Sequence, residues 1–134
     1  METSIKAWLL SKIDEYKFGL RDATVDFYMA ETALRRPECS LNHLKHYNNV
    51  SLALANLCLE NGDDESYLLA LSKLHNRMII EINNSQRCQL FRAQSYHFAR
   101  YSLTLICQKY SMEGVWEKAN ALQQDFAKRV PFQL

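Results

Sequence analysis

Apolar residues recur along the first quarter of this chain in steps of three or four: Ile5, Leu9, Ile13, Tyr16, Leu20, Ala23, Phe27, Ala30 and Leu34. At about 3.6 residues per turn, those steps put all of these side chains on one narrow stripe of a helix. The helix predicted from them runs from about Ser4 to Leu34, with Thr3 or Ser4 as its N-cap. Gly19 falls inside it, but the stripe keeps phase across that position, which argues for one helix rather than two. Arg35-Arg36-Pro37 ends it: two cations suit the negative end of the helix, and the residue before a proline resists the α region. Nearly opposite the stripe stands a shorter ridge of Phe18, Val25 and Met29, widened by Leu10 and Tyr28. The chain is expected to cover the main stripe itself, which leaves the ridge as a candidate contact surface.

Four further helices follow from the same periodicity. The second starts near Ser40 and stops at Asn61-Gly62, where glycine can take the left-handed cap. It is apolar nearly all round, with Leu44, Tyr47, Val50, Leu54 and Leu57 on one side and Leu41, Leu52, Ala55 and Leu59 on the other, and is therefore expected to be central. Asp63 or Asp64 caps a third helix whose stripe is Tyr67, Leu71, Leu74, Met78 and Ile82. Asn83-Asn84-Ser85 reads as a turn plus a new N-cap. The fourth helix buries Phe91, Phe98, Leu105 and Ile106, with Ser95 and Ser102 small enough for close approach. Ser111 to Gly114 opens a fifth, with Met112, Val115, Ala119, Leu122, Phe126 and Val130 in one arc and Pro131 as its stop. The expected fold is a single all-α domain over residues 1–134: a compact bundle of about five antiparallel helices with a long first helix.

Length and composition agree. A chain of 134 residues suits one domain and can bury a core without staples. A net charge of +1 supplies no global field toward nucleic acid or an anionic membrane. The start of the chain has too short an apolar core and too early an acid for a secretory signal. The longest apolar run, Tyr67 to Leu71, falls far short of the roughly 20 residues of a membrane span. A cytoplasmic protein without a membrane partner is expected. Cys39, Cys58, Cys88 and Cys107 form no C-x-x-C pair and are expected to be reduced.

Candidate chemistry is sparse. Cys39, His43 and His46 stand at i, i+4 and i+7 and include proper zinc donors, but no second ligand pair exists elsewhere, so no metal is expected. Gly114-Val115-Trp116-Glu117-Lys118-Ala119, with a counterpart at Gly62 to Tyr67, resembles the inter-helix turn of tetratricopeptide repeats over six residues. The helices are long for that unit of about 34 residues, so the resemblance implies a helical hairpin and no more. Arg92 and His97 form an R-x4-H spacing that resembles the signature of HEPN-type ribonucleases, small all-α domains acting on RNA as dimers. That resemblance implies a phosphate-holding Arg92 and a proton-transferring His97. The sequence departs from it at Ala93, where a polar residue is usual, and the two side chains lie about 140° apart by helix geometry. No Gly-rich phosphate loop, H-E-x-x-H or nucleophile elbow is present, and no cofactor is expected.

Charge is unevenly spread. Between Ser66 and Met112 the cations Lys73, Arg77, Arg87, Arg92, Arg100 and Lys109 face one acid, Glu81. On the fourth helix Arg92, Tyr96 and Arg100 share a face, which could meet an acidic protein or grip phosphates. The function expected from all this is a non-enzymatic protein-binding module: a small adaptor, secretion-type chaperone or regulator. It would work as a homodimer through Phe18, Val25 and Met29, with Arg92, Tyr96 and Arg100 as a second surface. A nucleic-acid-binding regulator using the fourth helix is the alternative, and a HEPN-like ribonuclease the third.

Overall fold

The computed structural model describes residues 2–130, and all regular structure among them is helical. The elements are α1 (Glu2–Leu34), α2 (Leu41–Glu60), α3 (Asp64–Ile82), α4 (Gln89–Met112) and α5 (Trp116–Arg129). Each helix packs chiefly on its neighbours in sequence, with a smaller contact between α2 and α4. Tight turns reverse the chain between them. Gly62 takes φ 73°, a conformation costly for any residue with a Cβ, and the Asp63 carboxylate then caps α3 by accepting from the Ser66 N–H at 3.2 Å. Gly114, at φ 76°, makes the same reversal into α5.

The core follows the apolar stripes. Leu71, Leu74, Met78 and Ile82 of α3 are fully buried against Leu44 and Tyr47 of α2 and Phe91 and Ile106 of α4. Ser95 and Ser102 are also fully buried. Their hydroxyls bond back to the carbonyls of Phe91 and Ala99 at 2.9 and 3.0 Å, so their small size lets α4 approach α3 without an unpaired polar group.

A buried charge cluster ties three chain segments together. Glu81, 1% exposed, accepts from Arg77 Nη2 at 2.7 Å and from Arg87 Nε at 2.8 Å. Arg87 Nη2 also donates to the Leu34 carbonyl at 2.8 Å, and its guanidinium lies 4.8 Å from the centre of the Phe91 ring. One arginine therefore satisfies the C-terminal end of α1, pairs with α3 and covers α4. Burial works against its charge, but the hydrogen bond and attraction of Glu81 outweigh it and hold its pKa above the ordinary value.

Several boundaries differ from the sequence reading. α1 begins at Glu2, so Thr3 and Ser4 lie within the helix rather than capping it. Cys88, not Ser85, is the N-cap of α4, because the turn after α3 runs several residues longer. Met112 ends α4 and is 83% exposed, outside the apolar arc assigned to the fifth helix. Pro131 lies outside the described residues.

The largest consequence comes from unequal lengths. α1 has 33 residues and α2 has 20. Gly19 faces the Leu57 side chain, and the Tyr16 hydroxyl donates to Asp63 Oδ2 at 2.7 Å. By Tyr16, then, α1 has already reached the far end of its partner. The preceding residues form an overhang of about 20 Å at 1.5 Å per residue.

Candidate interaction surfaces on α1 and α4

The ridge predicted on α1 is open. Phe18, Val25 and Met29 are 64%, 51% and 67% exposed, and Tyr28 beside them is 51% exposed. Val25, Tyr28, Met29, Thr32, Ala33 and Arg36 line a shallow depression there. The main stripe departs from expectation. It is covered only from Tyr16 onward, while Ile5, Leu9 and Ile13 are about half exposed, as are Trp8 and Leu10 beside them. α2 is too short to reach them, and every residue from Ser4 to Glu15 is exposed. α1 thus presents apolar side chains on two sides of its overhang and on the outer side of its packed half. Counting residues on either side of the turn at Pro37 would have revealed the mismatch.

The α4 face is less free than its sequence suggests. Arg92 is half-buried, and its Nε donates to the Ile82 carbonyl at 2.7 Å, satisfying the end of α3. Tyr96 packs with its ring centre 5.8 Å from that of Phe126 on α5. Arg100 is exposed, with its guanidinium 5.9 Å from the Tyr96 ring. His97 is exposed and meets Tyr96 edge-on at 6.2 Å.

The grouping of Cys39, His43 and His46 has a local explanation. The Ser40 N–H donates to His43 Nδ1 at 2.9 Å, so the histidine fills the position that Glu or Gln holds in a capping box. Accepting there places the neutral ring's proton on Nε2. His46 is exposed, and burial pushes the Cys39 thiol above its ordinary pKa. Among the described residues no group of three or more His, Cys, Asp or Glu side chains is placed to hold a metal ion.

A feature the sequence reading missed lies between α1 and α3. The two helices flank α2, and Leu20, Thr24, Phe27 and Tyr28 face Ser66, Leu69, Ala70 and Lys73 across a groove of about 220 Å³. Leu54 and Cys58 of α2 form its floor. Leu69 is 57% exposed on its rim. It falls two residues from the buried Tyr67 and Leu71, a hint that α3 has a second apolar side.

No helix among the described residues is long and apolar enough to cross a membrane. Compared with known proteins, the chain matches no family model, no curated protein and no solved structure.

Proposed function

We propose that this protein is a non-enzymatic protein-binding module, of the adaptor, chaperone or regulator kind, working in the cytoplasm as a homodimer through the uncovered apolar faces of α1. One observation carries the reading: Phe18, Val25 and Met29 project into solvent from a helix whose opposite side is already committed to the core. Full burial of a large apolar side chain is worth about 1.5–3 kcal/mol, and these are partly covered already, so each contributes about 1 kcal/mol. A two-fold contact uses every residue twice. With the overhang added, that reaches the cost of losing free translation and rotation, at least about 4 kcal/mol.

The α4 surface is the weaker candidate. Arg92 and Tyr96 already serve the packing of α3 and α5, which leaves Arg100 as the exposed cation of the three. Size-exclusion chromatography with light scattering tests the reading. The wild type is expected to run as a dimer, and Val25→Asp as a monomer with unchanged helical content. A monomeric wild type would contradict it.

A further inference from the structure

We infer that α5 is an acid-released strap: it lies closed over His75 near neutral pH and lifts from α3 and α4 when that imidazole takes a second proton. His75, on α3, is 3% exposed. From α4 it meets the Ala99 carbonyl, 3.0 Å from Nδ1, and the Ser102 hydroxyl at 3.4 Å. From α5 the Phe126 ring packs on it, with centres 5.6 Å apart. A carbonyl only accepts, so Nδ1 carries the proton and Nε2 keeps the bare lone pair. Nε2 is buried without a hydrogen-bond partner. A second proton therefore creates an N–H with no acceptor and a charge cut off from water.

The groups around that charge are already committed. Those acting on His75 are Arg129 and Asp125, both on α5. Asp125 pairs with Arg129 at 3.3 Å, and Arg129 Nη1 also donates to Asn76 Oδ1 at 3.0 Å. Arg100 of α4 lines a hollow with Phe126 and adds a further cation. Burial is the largest influence on the ring and lowers its pKa; the Ala99 carbonyl raises it by less, and Arg129 and Asp125 act in opposite directions. α5 is the element that yields. α3 and α4 share an extensive contact in which Leu74, Met78, Ile82 and Ile106 are fully buried. α5 buries one of its 14 side chains, Ala119, while Leu122 and Phe126 are half-buried. An exposed bond from Asn83 Nδ2 to the Arg129 carbonyl, 2.9 Å, ties its far end. Gly114, at φ 76°, supplies the turn on which it swings. An element with so few enclosed side chains opens separately from the rest of a fold. Lifting it gives Nε2 water at the least loss of packing. The closed form is fully favoured above the open form's pKa of about 6.5, and that preference is lost as pH falls through it.

Cysteine labelling of the wild type tests the strap. Cys107 is 7% exposed and its Sγ donates to the Ala119 carbonyl of α5 at 3.6 Å, so lifting α5 uncovers it. Cys58 of α2, 1% exposed in the main core, is uncovered only when the whole fold opens. Cys88 is exposed and reports the reagent's own rate. Trace labelling with N-ethylmaleimide, resolved by peptide mass spectrometry, gives each rate relative to Cys88, which cancels the common fall in thiolate at lower pH. Between about pH 7.5 and pH 5.5 the Cys107 ratio should rise about tenfold, the most that one proton with a free pKa near 6.5 can give, while the Cys58 ratio stays level. In His75→Gln, and in His75→Phe as a second non-titrating variant, the Cys107 ratio should not depend on pH; circular dichroism checks that helicity is kept. An unchanged Cys107 ratio in the wild type would overturn the strap. A parallel rise at Cys58 would overturn it too, by showing the whole fold loosening. A rise that persists in either folded variant would overturn His75 as the trigger.

Discussion

His75 shows how one side chain sets a pH response. It is 3% exposed, Nδ1 lies 3.0 Å from the Ala99 carbonyl, and Nε2 has no hydrogen-bond partner. Burial therefore lowers its pKa below the ordinary value. A folded state that resists protonation gives stability that is present above the unfolded pKa and lost as pH falls through about 6.5. The hydrogen bonds of Tyr16 and Ser66 hold Asp63 below the usual carboxylate range, so its contribution fades only at more acidic pH, clear of that window. Urea midpoints should fall between about pH 8 and pH 5 in the wild type, and His75→Gln should flatten that fall. A wild-type midpoint constant across this range would refute the assignment. Other polar residues matter at the same scale through partners distant in sequence. Glu81 reads in sequence as the lone acid among cations, yet its value comes from Arg87, which also reaches the Leu34 carbonyl 53 residues away. Removing one member of such a buried pair typically costs about 3–5 kcal/mol.

Among the helices, α1 separates what periodicity can tell from what it cannot. Its extent, its two apolar sides and the open ridge were legible, because a three-and-four spacing reports direction around a helix axis. Burial along the axis was not. It depends on where the next helix ends, and α2 stops at Glu60, opposite the middle of α1. The stripe of α3 was read correctly, whereas that of α2 was read in part: Leu44, Tyr47, Leu54 and Ala55 are buried, but Ser51 and Cys58 are buried with them and Leu59 is 40% exposed. Arg92 illustrates the converse error. Spacing grouped it with Tyr96 and Arg100, but the end of α3 lies close by and takes its Nε–H through the Ile82 carbonyl. His43 was likewise grouped with a cysteine when its nearest task was the Ser40 N–H. The overhang leads to a direct expectation. Residues 4–15 contribute no core side chain, so deleting them should hardly move the monomer's urea midpoint while dimerisation weakens. A large loss of stability would show that the overhang packs on the body.

For the molecule as a whole, five helices in sequential contact leave α1 at one end of the stack, covered on one side only. A terminal helix of that kind is ordinarily polar outside, and the exposed Phe18, Val25 and Met29 are the ground for our proposal that this one meets a partner. Amide hydrogen exchange at low and high protein concentration tests the uncovered face of α1 most directly. Exchange over residues 4–29 should slow as concentration rises, while α5, Trp116–Arg129, stays unchanged as an internal reference. Equal exchange of α1 at both concentrations would contradict the account.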